Sequence, residues 1–314
     1  MTDRPAAAPV DEESRLTVAL LAAAALAWTA AMLWSARTTI TGRVSAEMEV
    51  TSTAYALPGA VAADLVAGAA VALLALTLIG SRRTLGASAR FAVATGAGLL
   101  TGVASAIPII TINTAGSLYA IVGGTVAAAA TIGGALAGFR IPRVVAAAAF
   151  ASVGVFVLGF VLNLFQAPVL ELLGAGDTAS TANAAQWFSY GQAALSGLAA
   201  GLIAYFLLRR AKDAVKWPFY ALAGAGAGLV TVIGEILSRT AGSKVLELAG
   251  KVSEMDQLAQ QILSTARLNS GLVILFAGAM TAMFAVGRTL SPAEDEDDAQ
   301  SSSSNSETAY HSNS

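Results

Sequence analysis

The chain has 314 residues, of which 56% are hydrophobic and only 12% are charged, and its formal net charge is −2. This is more apolar side chain than one water-soluble core can bury, so the composition predicts a protein of the lipid bilayer, without the basic field typical of nucleic-acid binding. Cysteine is absent and the one histidine, His311, lies in a polar C-terminal stretch, which excludes disulfides, thiolate metal sites and most histidine-based catalysis or metal binding.

Both ends of the chain are polar. Residues 1–14 combine prolines with acids, and residues 291–314 hold an acidic run, Glu294–Asp298, followed by a serine-rich run. Such compositions bury too little apolar area to offset the entropy of ordering. We therefore expect a disordered N-terminus and a disordered acidic, serine-rich tail.

Eight apolar segments of about 20 residues lie between these ends, which is the length that crosses a bilayer as a helix. They are residues 16–34, 59–80, 90–112, 118–139, 144–165, 187–208, 218–238 and 270–287. The stretch 35–58 is more polar and is predicted to be a connection. We expect an all-α polytopic membrane protein with eight transmembrane helices.

Basic residues are concentrated in the connections after the second, fourth and sixth segments. They are Arg82, Arg83, Arg90, Arg140, Arg143, Arg209, Arg210, Lys212 and Lys216. Basic connections resist translocation, so we expect both termini to be cytoplasmic. The alanine-rich helices, the acidic tail and the lack of eukaryotic targeting signals favour a bacterial plasma membrane.

Short identities recur about 130 residues apart and in the same order, which indicates an internal repeat of parallel type. Gly96-Ala97-Gly98 returns as Gly224-Ala225-Gly226, Arg82-Arg83 as Arg209-Arg210, and Thr114–Ser117 as Thr240–Ser243. Beyond this point the offset grows by roughly twenty residues, and Gly138–Arg140 best matches Val286–Arg288. We expect two parallel four-helix repeats, residues 15–140 and 141–290. Glycines four residues apart, such as Gly98 with Gly102 and Gly224 with Gly228, predict close helix packing.

The second half is longer because it contains an extra segment, residues 244–268. Its apolar residues recur at alternating spacings of three and four, and polar residues fill much of the remaining surface. This pattern is typical of an amphipathic helix with a narrow apolar seam. We expect it to lie outside the membrane, where it caps the bundle or binds an extracytoplasmic protein.

Two acids, Asp64 and Glu235, occur inside the apolar segments. An acid at the centre of a bilayer costs at least about 2.5 kcal/mol and usually faces a cavity or a partner. The repeat aligns Asp64 with Gln192 and Glu235 with Ser105, so these four groups are predicted to converge and to bind a proton or a cation. In the alternative interpretation, the acids reach the outer headgroups or pair with basic neighbours such as Arg239.

No phosphate-binding loop, HExxH motif or GxSxG nucleophile motif is present, so we predict neither an enzyme nor a bound cofactor or metal. The first hypothesis is a transporter or permease driven by an ion gradient, with Glu235 and Asp64 as coupling or binding groups. The alternative is a non-catalytic scaffold or accessory subunit of a cell-envelope or secretion complex. An intramembrane enzyme is the least favoured.

Overall fold

The computed structural model describes residues 12–41, 46–82, 84–112, 117–210, 215–245, 247 and 254–288. The main elements of that part are nine α-helices, and it contains no strand. They are α1 (Glu12–Thr41), α2 (Ala46–Gly80), α3 (Ala87–Ile110), α4 (Ser117–Ala137), α5 (Pro142–Leu164), α6 (Gln166–Leu172), α7 (Thr178–Arg209), α8 (Trp217–Thr240) and α9 (Glu254–Gly287). All except α6 are long and apolar enough to cross a membrane, which confirms the predicted all-α architecture with eight such helices.

The predicted disordered ends lie mostly outside the described residues. Residues 1–11 and 289–314 are outside the described residues. The first helix already begins at Glu12, inside the stretch 1–14 expected to be disordered.

Most of the predicted connection at 35–58 is helical. The first helix continues to Thr41 and the second begins at Ala46, so that α2 carries Pro58 in its interior. Proline is tolerated in membrane helices where neighbouring helices satisfy the freed backbone groups. With 35 residues, α2 is about 50 Å long at about 1.5 Å per residue and exceeds the thickness of the hydrocarbon layer.

The last helix also differs from the prediction. Residues 254–268 do not form a separate element, because α9 runs unbroken from Glu254 to Gly287 and its stretch from Leu258 onward is apolar enough to cross a membrane. Of the remainder of segment 244–268, residues 246 and 248–253 lie outside the described residues.

Glycines bring helices together in both halves of the chain, as predicted. A Cβ atom placed on Gly98 would lie 2.8 Å from the Cα atom of Gly134, so α3 and α4 touch backbone to backbone. On α8, a Cβ atom at Gly228 would lie 2.5 Å from the Cα atom of Leu275 on α9. Such contacts gain van der Waals energy where lipid provides no hydrophobic drive.

The centre of the bundle is formed by α2 and α8. In their most apolar stretches, 61% of α2 and 56% of α8 are buried, against 22% for α1 and α9. The second helix packs against α1, α3 and α4 and also against α5 and α8. The two helices that carry Asp64 and Glu235 are therefore the two most enclosed ones.

Candidate functional site

Glu235 is the centre of a buried ion-pair cluster near the end of α8. Its side chain is 3% exposed. Nε of Arg239 donates to Oε1 at 3.1 Å, Nε of Arg267 donates to Oε2 at 2.9 Å, and the hydroxyl of Ser264 also donates to Oε1. Charge-assisted hydrogen bonds to both oxygens hold this carboxylate in one orientation.

The cluster forms because of how polar residues are spaced on two helices. On α8, Glu235 and Arg239 are one turn apart, and on α9 the residues Gln260, Ser264 and Arg267 follow at intervals of four and three. Residues at these spacings lie on one face of a helix. The antiparallel packing of α8 on α9 then brings the two polar faces together.

The apolar residues of this part of α9 lie on the other side. Met255, Leu258 and Ile262 are 75%, 53% and 60% exposed. The part of the predicted apolar seam that lies on α9 therefore points out of the bundle, while Gln260, Ser264 and Arg267 face inward. This is the reverse of a soluble amphipathic helix, and it suits a helix whose outer side contacts lipid.

A cleft of about 560 Å³ opens between α2, α8 and α9 beside the cluster. Glu235, Arg239, Arg267, Ser264 and Gln260 contribute to its lining, together with Pro58 of α2. Pockets that hold whole small molecules have volumes of about 300–1000 Å³. This cleft has that size and is lined by side chains that hydrogen-bond.

Gln260 is the unsatisfied member of the lining. Its side chain is 7% exposed, and within the described part of the chain neither its amide nitrogen nor its amide oxygen has a hydrogen-bond partner. A buried polar group without a partner costs about 1–3 kcal/mol. The residue therefore retains both a donor and an acceptor beside the cleft.

Asp64 forms a second and separate site in the middle of α2. Its side chain is fully buried, and among the described residues neither carboxyl oxygen has a hydrogen bond of normal geometry. The side chain of Ser105, on α3, lies next to the carboxyl group. An isolated ionised carboxylate is very costly in such surroundings, so this group needs a proton or a cation.

The four residues predicted to converge, Asp64, Gln192, Glu235 and Ser105, belong to three different sets of contacts. Asp64 and Ser105 are neighbours, whereas Glu235 contacts Arg239, Arg267 and Ser264. Gln192 is turned toward α5, where its amide donates to the carbonyl of Gly159 at 3.4 Å. The early start of α2 places Asp64 at mid-helix.

The ion pair of Glu235 with Arg239, expected in the alternative interpretation, is present. The contributions of Arg267, Ser264 and Gln260 were not predicted. Their signal in the sequence is the 260/264/267 spacing, which gains meaning once residues 254–268 are known to continue into a crossing helix.

Comparison of the chain with protein-family models, with curated proteins and with solved structures finds no match. The chemistry of the two sites is therefore the basis for a functional proposal.

Proposed function

We propose that the protein is an integral membrane transporter driven by an ion gradient, and that Asp64 takes up and releases the coupling proton or cation. The observation that carries this proposal is the complete burial of an unpartnered carboxyl group halfway along a helix able to cross the membrane. Ionisable residues within membrane segments are rare and mark ion pathways and proton relays, so a buried acid at such a position is a functional candidate.

A transport cycle requires that Asp64 be reached alternately from the two sides. While the group is enclosed it must be neutral, so it can cross between open states only with a bound proton or cation. Because α2 packs on helices of both halves, a shift of one half against the other would change the access to Asp64. The adjacent hydroxyl of Ser105 can donate to the carboxylate whenever it becomes ionised.

Recurrent contacts support the two four-helix halves that this cycle needs. Gly98 faces Ala130 and Gly134, and Gly102 faces Ala127; in the second half Gly224 faces Gly278 and Ala282, and Gly228 faces Leu275. Both glycines are shifted by 126 residues along the chain, and all of their partners are shifted by 148. The packing thus pairs Gly98 with Gly224, two residues from the pairing of Gly98 with Gly226 that the sequence gives. The recurrent contacts support the repeat, which is part of the proposal, but not this exact alignment of residues.

The proposed location is a bacterial plasma membrane with both termini cytoplasmic. The basic residues in the connections after the second, fourth and sixth crossings support this orientation. In this orientation the ends of α8 at Thr240 and of α9 at Glu254 lie on the outer side. The cleft beside Glu235 then opens toward the extracytoplasmic surface, while Asp64 lies deeper in the bilayer.

Proton flux into proteoliposomes tests the proposal. The purified chain is reconstituted with a pH-sensitive dye inside the vesicles, a pH or sodium gradient is imposed, and candidate solutes are added in turn. Asp64→Asn keeps the shape of the side chain but cannot ionise, so solute-dependent flux should fall to the level of empty vesicles. Glu171→Gln, at an exposed acid of α6, is the matched control and should keep wild-type flux.

Two results would contradict the proposal. One is wild-type solute-dependent flux in Asp64→Asn. The other is a wild-type protein that moves neither protons nor sodium with any solute of a broad panel. The second result would favour the scaffold interpretation, in which the exposed apolar side of α9 at Met255, Leu258 and Ile262 is available for another membrane protein.

A further inference from the structure

We propose that the cleft between α2, α8 and α9 binds a phosphate-bearing molecule. Its phosphate would contact the guanidinium groups of Arg239 and Arg267, and a polar group next to the phosphate, such as a hydroxyl, an amide or an ester carbonyl, would contact Gln260. This site is separate from Asp64, and the inference concerns binding at equilibrium. It therefore holds or fails independently of ion coupling.

The two arginines are arranged in advance for an anion. Each contacts Glu235 through its Nε atom, which leaves the two Nη groups of each guanidinium outside these ion pairs. Arg239 is 42% exposed and Arg267 is 29% exposed, and both line the cleft. A planar guanidinium presents its donors in a rigid fork that matches phosphate oxygens.

The arginines belong to different helices, so an anion between them would receive donors from two sides. A tetrahedral phosphate has oxygens for two guanidinium groups that approach in this way. Glu235 fixes both forks relative to each other because it binds both Nε atoms. The anion would thus find its donors already oriented.

Gln260 provides evidence for a ligand that does not depend on the two arginines. A glutamine amide that is buried, lines a cleft and lacks a partner within the described residues is destabilising unless something else completes its hydrogen bonds. It lies one turn before Ser264 and two turns before Arg267 on the same face of α9. A group attached to the phosphate would therefore reach it.

The net charge of the cleft does not by itself favour an anion. The exposed Glu247 also lines it, so two glutamates balance the two arginines formally. Recognition must come from direct hydrogen bonds to the phosphate and not from a net positive field. We therefore expect a moderate dependence of affinity on ionic strength, because pairs in direct contact are screened less than a diffuse field.

Two sources can supply such a phosphate: a lipid headgroup, or a phosphorylated solute from the aqueous side. The cleft lies near the C-terminal end of α8 and the N-terminal part of α9, at the level where lipid headgroups lie in the proposed orientation. Isothermal titration of the full-length protein in neutral detergent distinguishes the sources. The probes are inorganic phosphate and dihexanoyl phosphatidic acid, a lipid soluble as single molecules.

The variants are Gln260→Leu and Arg267→Lys, with Gln186→Leu on the exposed surface of α7 as the matched control. We expect saturable wild-type binding of at least one probe. Arg267→Lys should bind it about tenfold more weakly, as when one charge-assisted hydrogen bond is lost. Gln260→Leu should weaken the binding of phosphatidic acid several-fold, because the amide loses its hydrogen bond to an ester carbonyl next to the phosphate, and should leave the binding of inorganic phosphate unchanged. Gln260→Leu removes a group that has no partner in the unliganded protein, so its melting temperature should not fall. Loss of binding in this variant is then not loss of folding.

Binding of phosphatidic acid alone would identify a lipid headgroup as the ligand, and binding of both probes would show that a phosphate group suffices. The inference is overturned if neither probe binds saturably to the wild type, if Arg267→Lys binds as tightly as the Gln186→Leu control, or if Gln260→Leu binds phosphatidic acid as tightly as that control. A failure of the proton-flux assay has no bearing on either result.

Discussion

Gly234 of α8 packs directly on Ala62 of α2: a Cβ atom added to Gly234 would lie 3.4 Å from the Cβ atom of Ala62. Glu235 is the next residue along α8, and Asp64 lies two residues beyond Ala62. The cleft cluster and the buried carboxyl group are thus carried by two helices in close contact. A ligand that shifts α8 on α2 would therefore act on the surroundings of Asp64, which is how binding and ion uptake would be coupled.

Two glycines of α8 should respond differently to alanine. At Gly228 the new Cβ atom would lie 2.5 Å from the Cα atom of Leu275, whereas at Gly234 it would make an ordinary contact. Overpacking typically costs about 1–3 kcal/mol, so Gly228→Ala should lower the melting temperature in detergent and Gly234→Ala should leave it nearly unchanged. Equal melting temperatures would show that α8 and α9 are less tightly packed than described.

The ion pair between Glu235 and Arg267 should be visible as a coupling energy. Glu235→Gln leaves two arginines without their counter-ion, and we expect a loss of about 1–3 kcal/mol, at the low end for a broken buried pair because the arginines are partly exposed. Arg267→Gln should destabilise similarly.

The double variant of Glu235→Gln with Arg267→Gln completes the cycle. It should lose less stability than the sum of the two single losses, because the second change removes a group already deprived of its partner. Chemical denaturation in mixed micelles gives the four values. Strict additivity would mean that the two side chains do not interact.

The eight crossing helices are readable from sequence because hydrocarbon imposes a minimum apolar length on every one of them. Helix ends are not. Polarity predicted a connection at 35–58, yet the helical backbone continues through Thr41 and from Ala46 onward, since beyond the hydrocarbon a helix can carry polar side chains as readily as a loop can.

The candidate sites were found in part for the same reason. An acid in a membrane segment is costly and therefore rare, so Asp64 and Glu235 can be recognised from sequence alone. Arg267 and Gln260 do not, because their roles depend on which side of α9 faces α8. A soluble helix turns its apolar seam inward, whereas the exposed Met255 and Ile262 show that α9 turns it outward.

Replacing Asp64 should reduce ion-coupled flux without lowering the stability of the fold. Its carboxyl group has no hydrogen bond of normal geometry among the described residues, and replacing an unsatisfied buried polar group by an apolar one is often neutral or stabilising. We expect Asp64→Val to melt no lower than the wild type while losing ion-coupled flux. A marked fall in melting temperature would instead indicate that the carboxyl group stabilises the fold through contacts that are absent here.

Asp177, the residue directly before the membrane-spanning helix α7, provides a pH-sensitive feature. Asp177 caps this helix: its carboxylate accepts from the backbone N–H of Ser180 at 2.7 Å, and hydrogen bonds from the side chain and then the backbone of Ser180 lower the pKa of Asp177. A depressed pKa in the folded state means that the cap stabilises α7 above the usual aspartate range, and that this stabilisation is lost as the pH falls through the folded-state value.

The first turn of α7 should therefore open more often in acid. Hydrogen exchange of the amides at 178–184, corrected for the intrinsic effect of pH on exchange, should show protection that decreases below the usual aspartate range. Asp177→Asn is the control, because asparagine caps helices about as well as aspartate does but does not titrate in this range. Its protection should be independent of pH, and an equal loss of protection in acid for both proteins would assign the effect to some group other than Asp177.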